Sequence, residues 1–445
     1  MEVLSAARSE VEQRRAAGAL AGLGLRTADR VAFLLPGSTQ LLSAALGALR
    51  TGVVPVMLDP SLTRIERHQV LDDASPALVV DTADALASLL RGTPKDLADV
   101  PLARPMHYTS GTTGRRKGVW SGVLDEPAAK ALLAEERELW GFQAEDRHLV
   151  LSAMHHSAPL RFAAGTLLAG GEVAVLPRFS TDAALAALTD FRPTSLFCAP
   201  AHLQRLSAAV DEGAVLPDLS QVRLLAHAGA PCPAPLKQRT LEAFPDGSVW
   251  EFYGSTEGQF TACSTADWAA HPGSVGPARP GRELSVDADG TIWCRVPSYA
   301  RFTYWRDPGK TAQAWRGDAF SVGDLGRLDE DGYLYLDGRR EDLLLSGGVN
   351  VYPMEVEVVL ADCPGVADVA VFGRPDERWG QRVCAVYVGS ATDEELRDWA
   401  TERLSPAKRP KEYHRAEALP RSVTGKIRRT ALALDLGLDA VSPPG

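Results

Sequence analysis

Hydroxyls, glycines and cations crowd into residues 108–119, Tyr-Thr-Ser-Gly-Thr-Thr-Gly-Arg-Arg-Lys-Gly-Val. Gly111 and Gly114 permit positive φ and close backbone approach, so successive N–H groups can face one anion-binding concavity. Thr109, Ser110, Thr112 and Thr113 add hydroxyl donors, and Arg115, Arg116 and Lys117 supply positive charge. This is the chemistry of a phosphate grip. It is not a Walker A loop, because Gly118 follows Lys117 where that motif needs Ser or Thr, and the glycine spacing differs.

Further segments carry reactive groups. Tyr253-Gly-Ser-Thr-Glu-Gly258 follows the apolar-aromatic run at 249–252. Two readings stand: Thr256 and Glu257 satisfy the backbone donors of a capped turn, or Glu257 presents a carboxylate to Mg²⁺, a hard cation that bridges protein and nucleotide phosphates. Asp324, in Ser321-Val-Gly-Asp-Leu-Gly326, and Arg339 beyond the next hairpin either form an ordinary surface pair or reach a ribose. An aspartate can accept from both ribose hydroxyls, and an arginine beside it can reach sugar or phosphate. Pro420-Arg-Ser-Val-Thr-Gly-Lys426-Ile-Arg-Arg429, taken alone, is a solvated basic turn before a helix.

The 445-residue chain is 45% hydrophobic and carries a formal net charge of −10. That balance argues against nucleic acid, whose backbone demands clustered excess cations, so anion binding must be local. Cys198, Cys232, Cys263, Cys294, Cys363 and Cys384 form no CxxC or CxxH pair, which points to buried free thiols rather than zinc or disulfides. The N-terminus is charged and lacks an apolar h-region, so secretion is not expected. Arg50, Gly52 and Pro55 interrupt the longest apolar-rich run, Leu41 to Leu58, which is no membrane span. A cytoplasmic protein that works without membrane or nucleic acid is the expectation.

These groups must be held by a scaffold, and the hydrophobic pattern supplies one. Apolar runs at 31–35, 53–58 and 77–80 alternate with helical patterns at 40–50 and 64–73. The alternation returns with runs at 148–151, 172–176, 195–198 and 222–226 and a helix at 201–210. It predicts a parallel sheet covered by helices, most economically one doubly wound region. The texture changes near 333–348, where Gly338-Arg-Arg-Glu-Asp342 and Ser346-Gly-Gly348 make a charged, glycine-flanked joint. Helices at 353–361 and 393–404 and strands at 366–372 and 382–388 then predict a compact α+β domain.

In this order and across most of the chain, the motifs closely resemble the adenylate-forming superfamily of acyl- and aryl-CoA ligases, carrier-protein adenylation domains and luciferases. Arg374-Pro-Asp-Glu-Arg-Trp-Gly-Gln381 and Lys408-Arg-Pro-Lys411 look like the 4-chlorobenzoate and other acyl-CoA ligases. The resemblance implies an α/β protein: a large multi-sheet αβ N-terminal domain over 1–337 and a small mobile α+β C-terminal domain over 338–445, joined by a hinge. It implies an AMP-forming ligase that uses ATP and Mg²⁺ to activate a small carboxylic acid and coenzyme A as co-substrate.

Residue roles follow from the same resemblance. Thr109, Ser110, Gly111, Thr112, Thr113, Gly114 and Lys117 would embrace the ATP phosphates, with Thr109 and Glu257 holding magnesium. Ala228, Gly229, Ala230 and Pro231 would line the adenine, with Tyr253 stacked on it and Gly254, Ser255 and Thr256 completing the nucleotide turn. Asp324 and Arg339 would contact ribose, and Lys426 would bridge the substrate carboxylate and the α-phosphate. Glu341 stands at the hinge, Gly347 and Gly348 at the pantetheine passage, and Trp379 and Arg409 where ligases contact coenzyme A. His156 matches a pocket-wall histidine that touches substrate or gates access; a satisfied core histidine is the other reading. Arg161 either meets a second anionic group on the substrate or points to solvent.

Some features depart from a plain CoA ligase. The segment before Asp29-Arg-Val-Ala-Phe-Leu-Leu-Pro is short for the family, and Ala407 stands where some ligases place an aromatic residue. No aspartate follows His156 at the spacing of amino-acid adenylation domains, which disfavours a standard peptide-synthetase role. The alternatives are transfer of the adenylate to a carrier protein or an amine, including nitrite activation for diazotisation of an aromatic amine. A nucleotide-binding module without catalysis is a further reading, against which the intact Lys426, Glu257 and Asp324 argue. Monomer and homodimer both stay open.

Overall fold

The computed structural model describes residues 2–109, 116–339, 342–346, 349–376, 379–421, 427 and 429–437. The alternating apolar runs fall into two six-stranded sheets rather than one. One has the order Val3–Ser5, Glu172–Val175, Arg147–Val150, Ser195–Cys198, Leu224–His227, Val249–Glu251, and all but its first strand run parallel. The other has the order Thr303–Tyr304, Lys117–Trp120, Met106–Thr109, Val54–Met57, Arg30–Phe33, Leu78–Val80. Its last four strands are parallel, and Lys117–Trp120 pairs antiparallel with Met106–Thr109.

Local signals explain the covering helices. Ser38 starts the helix Thr39–Arg50 by accepting a hydrogen bond from the Leu41 N–H at 3.1 Å. That helix is buried nearly all round and reads AALGAL where it crosses its neighbour Ala6–Gly22. A Cβ on Gly47 would lie 2.5 Å from the Gln13 carbonyl oxygen, so only glycine allows the two backbones this close. Arg50 ends the helix with its guanidinium on Gln13 Oε1 at 2.8 Å and the Ala98 carbonyl at 2.7 Å, so the charge is buried but satisfied.

Residues 283–339 form a smaller β region that the periodicity did not announce. Glu283–Val286, Ile292–Arg295, Ala319–Phe320 and Trp315–Arg316 make an antiparallel sheet, and Asp324–Leu328 pairs with Leu334–Arg339. The C-terminal part has its own sheet, in which Val366–Asp376 and Gly380–Gly389 form a long hairpin flanked by Leu344–Ser346 and Glu412–Arg415. Helices Pro353–Ala361 and Asp393–Arg403 cover it around a core of Val356, Leu360, Val371, Val383 and Leu396. Arg429 ties this part together, donating to Asp342 at 2.9 Å and to Glu357 at 2.6 Å. The molecule is thus a large mixed α/β N-terminal domain and a small C-terminal one. All six cysteines are free; five are buried and Cys232 is half-buried. Among the described residues no helix is long and apolar enough to cross a membrane.

Buried histidines make this fold sensitive to acid. Burial pushes His148 down to about 3 and His107 down to about 4, whereas an unfolded chain protonates histidine near pH 6.5. Between those values the unfolded chain binds more protons than the folded one. The stability these groups contribute is therefore complete above about pH 6.5 and lost progressively as pH falls toward 4, at about 1.4 kcal/mol per histidine per pH unit. In urea unfolding, His148→Gln should shrink the stability difference between pH 7 and pH 5 by about 2 kcal/mol. An unchanged difference would remove His148 from this account.

Candidate active site

The antiparallel pairing of Met106–Thr109 with Lys117–Trp120 puts Thr109 and Lys117 directly opposite each other, at the mouth of the loop read as a phosphate grip. Ser110, Gly111, Thr112, Thr113 and Gly114 lie outside the described residues. The Arg116 guanidinium donates to Glu66 at 2.9 Å and, with the Thr63 N–H and hydroxyl, holds the Glu66 carboxyl down to about 2. Lys117 Nζ lies 5.4 Å from the centre of the Tyr304 ring.

Tyr304 connects two motifs. It lies in the strand Thr303–Tyr304 beside Lys117–Trp120, and its hydroxyl donates to Glu257 Oε1 at 2.9 Å. Glu257 is buried, 6% exposed. Ser255 Oγ accepts from the Glu257 N–H at 3.3 Å, so the turn is capped, as one of the two sequence readings had it, by Ser255 rather than by Thr256 or Glu257. Gly258 must be small, because a Cβ there would meet the Phe320 ring at 2.8 Å. Gly254 bridges to Gln259 and closes the turn.

A second pair forms at the other end of that turn. The Tyr253 hydroxyl donates to Asp324 Oδ2 at 2.6 Å, and Asp324 is buried, 8% exposed. This is not a surface position. The hairpin register sets Asp324 opposite the backbone of Arg339, whose side chain is outside the described set. Gly229 has φ +97°, a conformation that favours glycine, and begins the turn through Ala230 and Pro231 that leaves the strand Leu224–His227. Beneath it lies an anchor the sequence did not suggest. Lys237 Nζ, almost fully buried, sits 2.7 Å from His227 Nε2 and 3.2 Å from Glu251 Oε2, pinning the ends of the strands that lead into the Gly229 and Tyr253 turns. Burial raises the Glu251 carboxyl even beside this cation.

His156 is the N-cap residue of the helix Ser157–Leu168 and is half-buried, its ring 4.2 Å from that of His155. One turn further, Arg161 donates to Gln259 Oε1 at 2.9 Å and to Glu136 at 3.3 Å. It is half-buried and engaged with these partners rather than pointing freely to solvent.

The C-terminal candidates are placed separately. Trp379 lies with its ring centre 5.0 Å from Lys411 Nζ, and Ser346 pairs with Gly380, the residue after Trp379. Arg409 donates to the carbonyls of Leu404 at 2.8 Å and Thr401 at 2.9 Å, closing the end of the helix Asp393–Arg403. Two of its five donors are engaged in this way. Glu341, Gly347, Gly348 and Lys426 lie outside the described residues.

The donor set fits magnesium. Glu257 Oε1 accepts from Tyr304, while its second oxygen makes no hydrogen bond to a described residue, and the Thr109 hydroxyl stands at the adjacent loop. Among the described residues no group of three or more His, Cys, Asp or Glu could hold a metal unaided. Mg²⁺ takes few protein ligands and completes its shell with phosphate and water, so one carboxylate and one hydroxyl suffice.

The model of the AMP-binding enzyme family matches residues 4–104 and 103–301, and that of the AMP-binding enzyme C-terminal domain matches 355–426. The long-chain-fatty-acid–CoA ligase FadD13 of Mycobacterium tuberculosis is 30% identical over 94% of this chain and 90% of its own. The o-succinylbenzoate coenzyme A synthetase MenE from Bacillus subtilis, solved with ATP and a magnesium ion, superposes with a TM-score of 0.81 at 26% identity, covering 96% of this chain and 94% of its own. The amide bond synthetase McbA from Marinactinospora thermotolerans gives a TM-score of 0.82 at 26% identity, with the same coverage. The chain belongs to the AMP-binding enzyme family and is an AMP-forming ligase of the adenylate-forming superfamily.

Proposed function

We propose that the protein joins a small carboxylic acid to AMP and then passes the acyl group to coenzyme A. The observation that carries this reading is the meeting of Glu257, Tyr304 and Lys117 beside Thr109, with Tyr253 and Asp324 paired at the other end of the same turn. A triphosphate at Thr109–Lys117 and a ribose at Asp324 would thus be gripped from both ends. Glu257 and Thr109 would hold Mg²⁺, which supplies charge neutralisation for the phosphates.

A carboxylate is a poor acyl donor, since displacement would expel oxide. Attack of its oxygen on the α-phosphorus of ATP makes a mixed anhydride and breaks the bond to the β-phosphate, which leaves as pyrophosphate. Lys426 would bring the two anions together, and Lys117 and the loop N–H groups would stabilise the departing charge. A thiolate then attacks the acyl carbon and AMP leaves. We take residues 338–445 as the domain that turns about Glu341 between the two steps, exchanging Lys426 for Gly347 and Gly348, with Trp379 and Arg409 toward coenzyme A. Gly338, with φ +135°, supports a boundary after 337. ATP and coenzyme A are cytoplasmic, and we place the activity there.

The second reading keeps adenylation and changes the acceptor to a carrier protein or an amine. Ala407 and the likeness to an amide bond synthetase favour keeping it. The test is pyrophosphate release by purified protein with Mg²⁺-ATP and a panel of aliphatic and aryl acids and nitrite, with and without coenzyme A. Release that depends on an acid, with an acyl-CoA formed when coenzyme A is added, is expected. Release without thioester transfers the proposal to another acceptor, and no release with any anion ends it.

A further inference from the structure

Resting on that reading, and deepening it, we propose that the acid activated here carries a second anionic group, seated against Arg161 and Arg104. Arg104, Arg161, Arg279 and Arg282 are gathered around Glu135 and Glu136. Arg279 and Arg282 are almost fully buried and matched: both reach Glu135, at 2.5 and 2.8 Å, and Arg279 also reaches Glu136 at 3.0 Å. Tyr299 adds its hydroxyl to Glu135 at 2.9 Å. These contacts set four guanidinium groups against two carboxylates, with Glu136 Oε2 left without a hydrogen bond among the described residues, and the surplus of positive charge in the interior is costly unless an anion answers it.

The surplus sits on Arg161 and Arg104. Arg161 holds Glu136 only at 3.3 Å and otherwise donates to the neutral Gln259. Arg104 makes no side-chain hydrogen bond or ion pair with any described residue, and its strongest charged neighbours are Glu136 and the other three arginines. Both lie deep, where burial draws them below the usual arginine range, with Arg104 down to about 10. Yet both keep accessible surface, 27% of the side chain for Arg161. A group that is deep and still accessible lines a concavity.

The position connects this concavity to the reacting end. Arg161 stacks 5.3 Å from the Phe252 ring and bonds Gln259, so it touches both flanks of the turn that carries Tyr253 and Glu257. Gln259 is two residues from Glu257, no more than about 7 Å along the chain. Arg161 is five residues from His156, ~7.5 Å along the helix axis. A short aliphatic chain or a single aromatic ring spans that interval with an anion at each end. The class is therefore small diacids and comparable dianions, read at the far end by guanidinium forks.

The test compares acids of one skeleton with and without the second charge: succinate against butyrate, glutarate against valerate, isophthalate against benzoate. The readout is kcat/KM for pyrophosphate release by the wild-type protein. A site built for a buried anion should favour at least one diacid over its partner by about 10²-fold. Arg161→Gln and Arg104→Gln should each lower that ratio about 10-fold or more, with the thermal shift given by ATP retained as the check on folding. Preference for the monoacid on every skeleton, activation of nitrite alone, or a ratio that neither substitution moves would overturn the inference while leaving adenylation standing. Absence of release with every acid sinks both.

Discussion

Replacing Glu257 with glutamine is expected to lower acid-dependent pyrophosphate release about 10²–10³-fold, the usual cost of removing one directed electrostatic group. Glutamine keeps the length of the side chain and an oxygen that can accept from Tyr304, so the buried turn has no reason to reorganise. What disappears is the negative charge. If that charge serves magnesium, the variant should need more Mg²⁺ for half-maximal rate, and excess chelator should silence the wild type. Tyr304→Phe makes the useful contrast: it keeps the carboxylate and removes one hydrogen bond, and should cost only about 10-fold. A glutamine variant within a few-fold of wild type at ordinary Mg²⁺ would take Glu257 out of the centre.

The second large effect is expected at Lys426. Lys426→Ala should reduce acid-dependent ATP–pyrophosphate exchange by about 10²–10³-fold while largely sparing thioester formation from a synthetic acyl-adenylate. The reason is electrostatic: carboxylate and α-phosphate repel, and one ammonium between them serves only the step in which they meet. The preformed adenylate has already passed that step. Equal loss of both half-reactions would contradict the role, since it would mean that the lysine supports the fold or the second step.

Much of the scaffold was legible because burial on both faces leaves a plain mark. Runs such as Ser195–Cys198 are apolar, bounded by turn residues and too short for helices, and they became central parallel strands. The helix Pro353–Ala361 was expected over the same residues, and its proline stands in the first turn, where a missing N–H costs nothing. That the parallel strands split into two sheets was implied only by the family resemblance, since alternation fixes neither how many sheets form nor which strands pair. The hairpin between Asp324 and Arg339 was expected, but the strands of 283–320 were missed because pieces such as Ala319–Phe320 and Trp315–Arg316 are too short to show a period. The hairpin strand expected to stop at Phe372 runs on to Asp376, since polar residues at a sheet margin look like loop.

The candidate site was legible where a motif is contiguous and obscure where it is assembled. Glu257 and Asp324 announced themselves, but Tyr304 lies 47 residues from the carboxylate it touches. The aromatic run Phe302-Thr-Tyr-Trp305 was the only hint of it. Arg104 and Glu136 carried no signal at all, because a charge acquires meaning only when the fold decides which other charges share its surroundings. For Arg116 the sequence suggested a phosphate contact, and a long side chain instead found Glu66.

The clamp that Arg429 forms on Asp342 and Glu357 has a mechanical consequence. It welds the chain just past residue 341 to the helix that follows Lys426, with the covering helix Pro353–Ala361 as the third member of the joint. A crank is useful only if its arm does not bend. Under the proposed rotation about residue 341, torque applied at one end would arrive at the other without slack, and cutting the weld should let the two ends drift out of phase even where each stays correctly shaped.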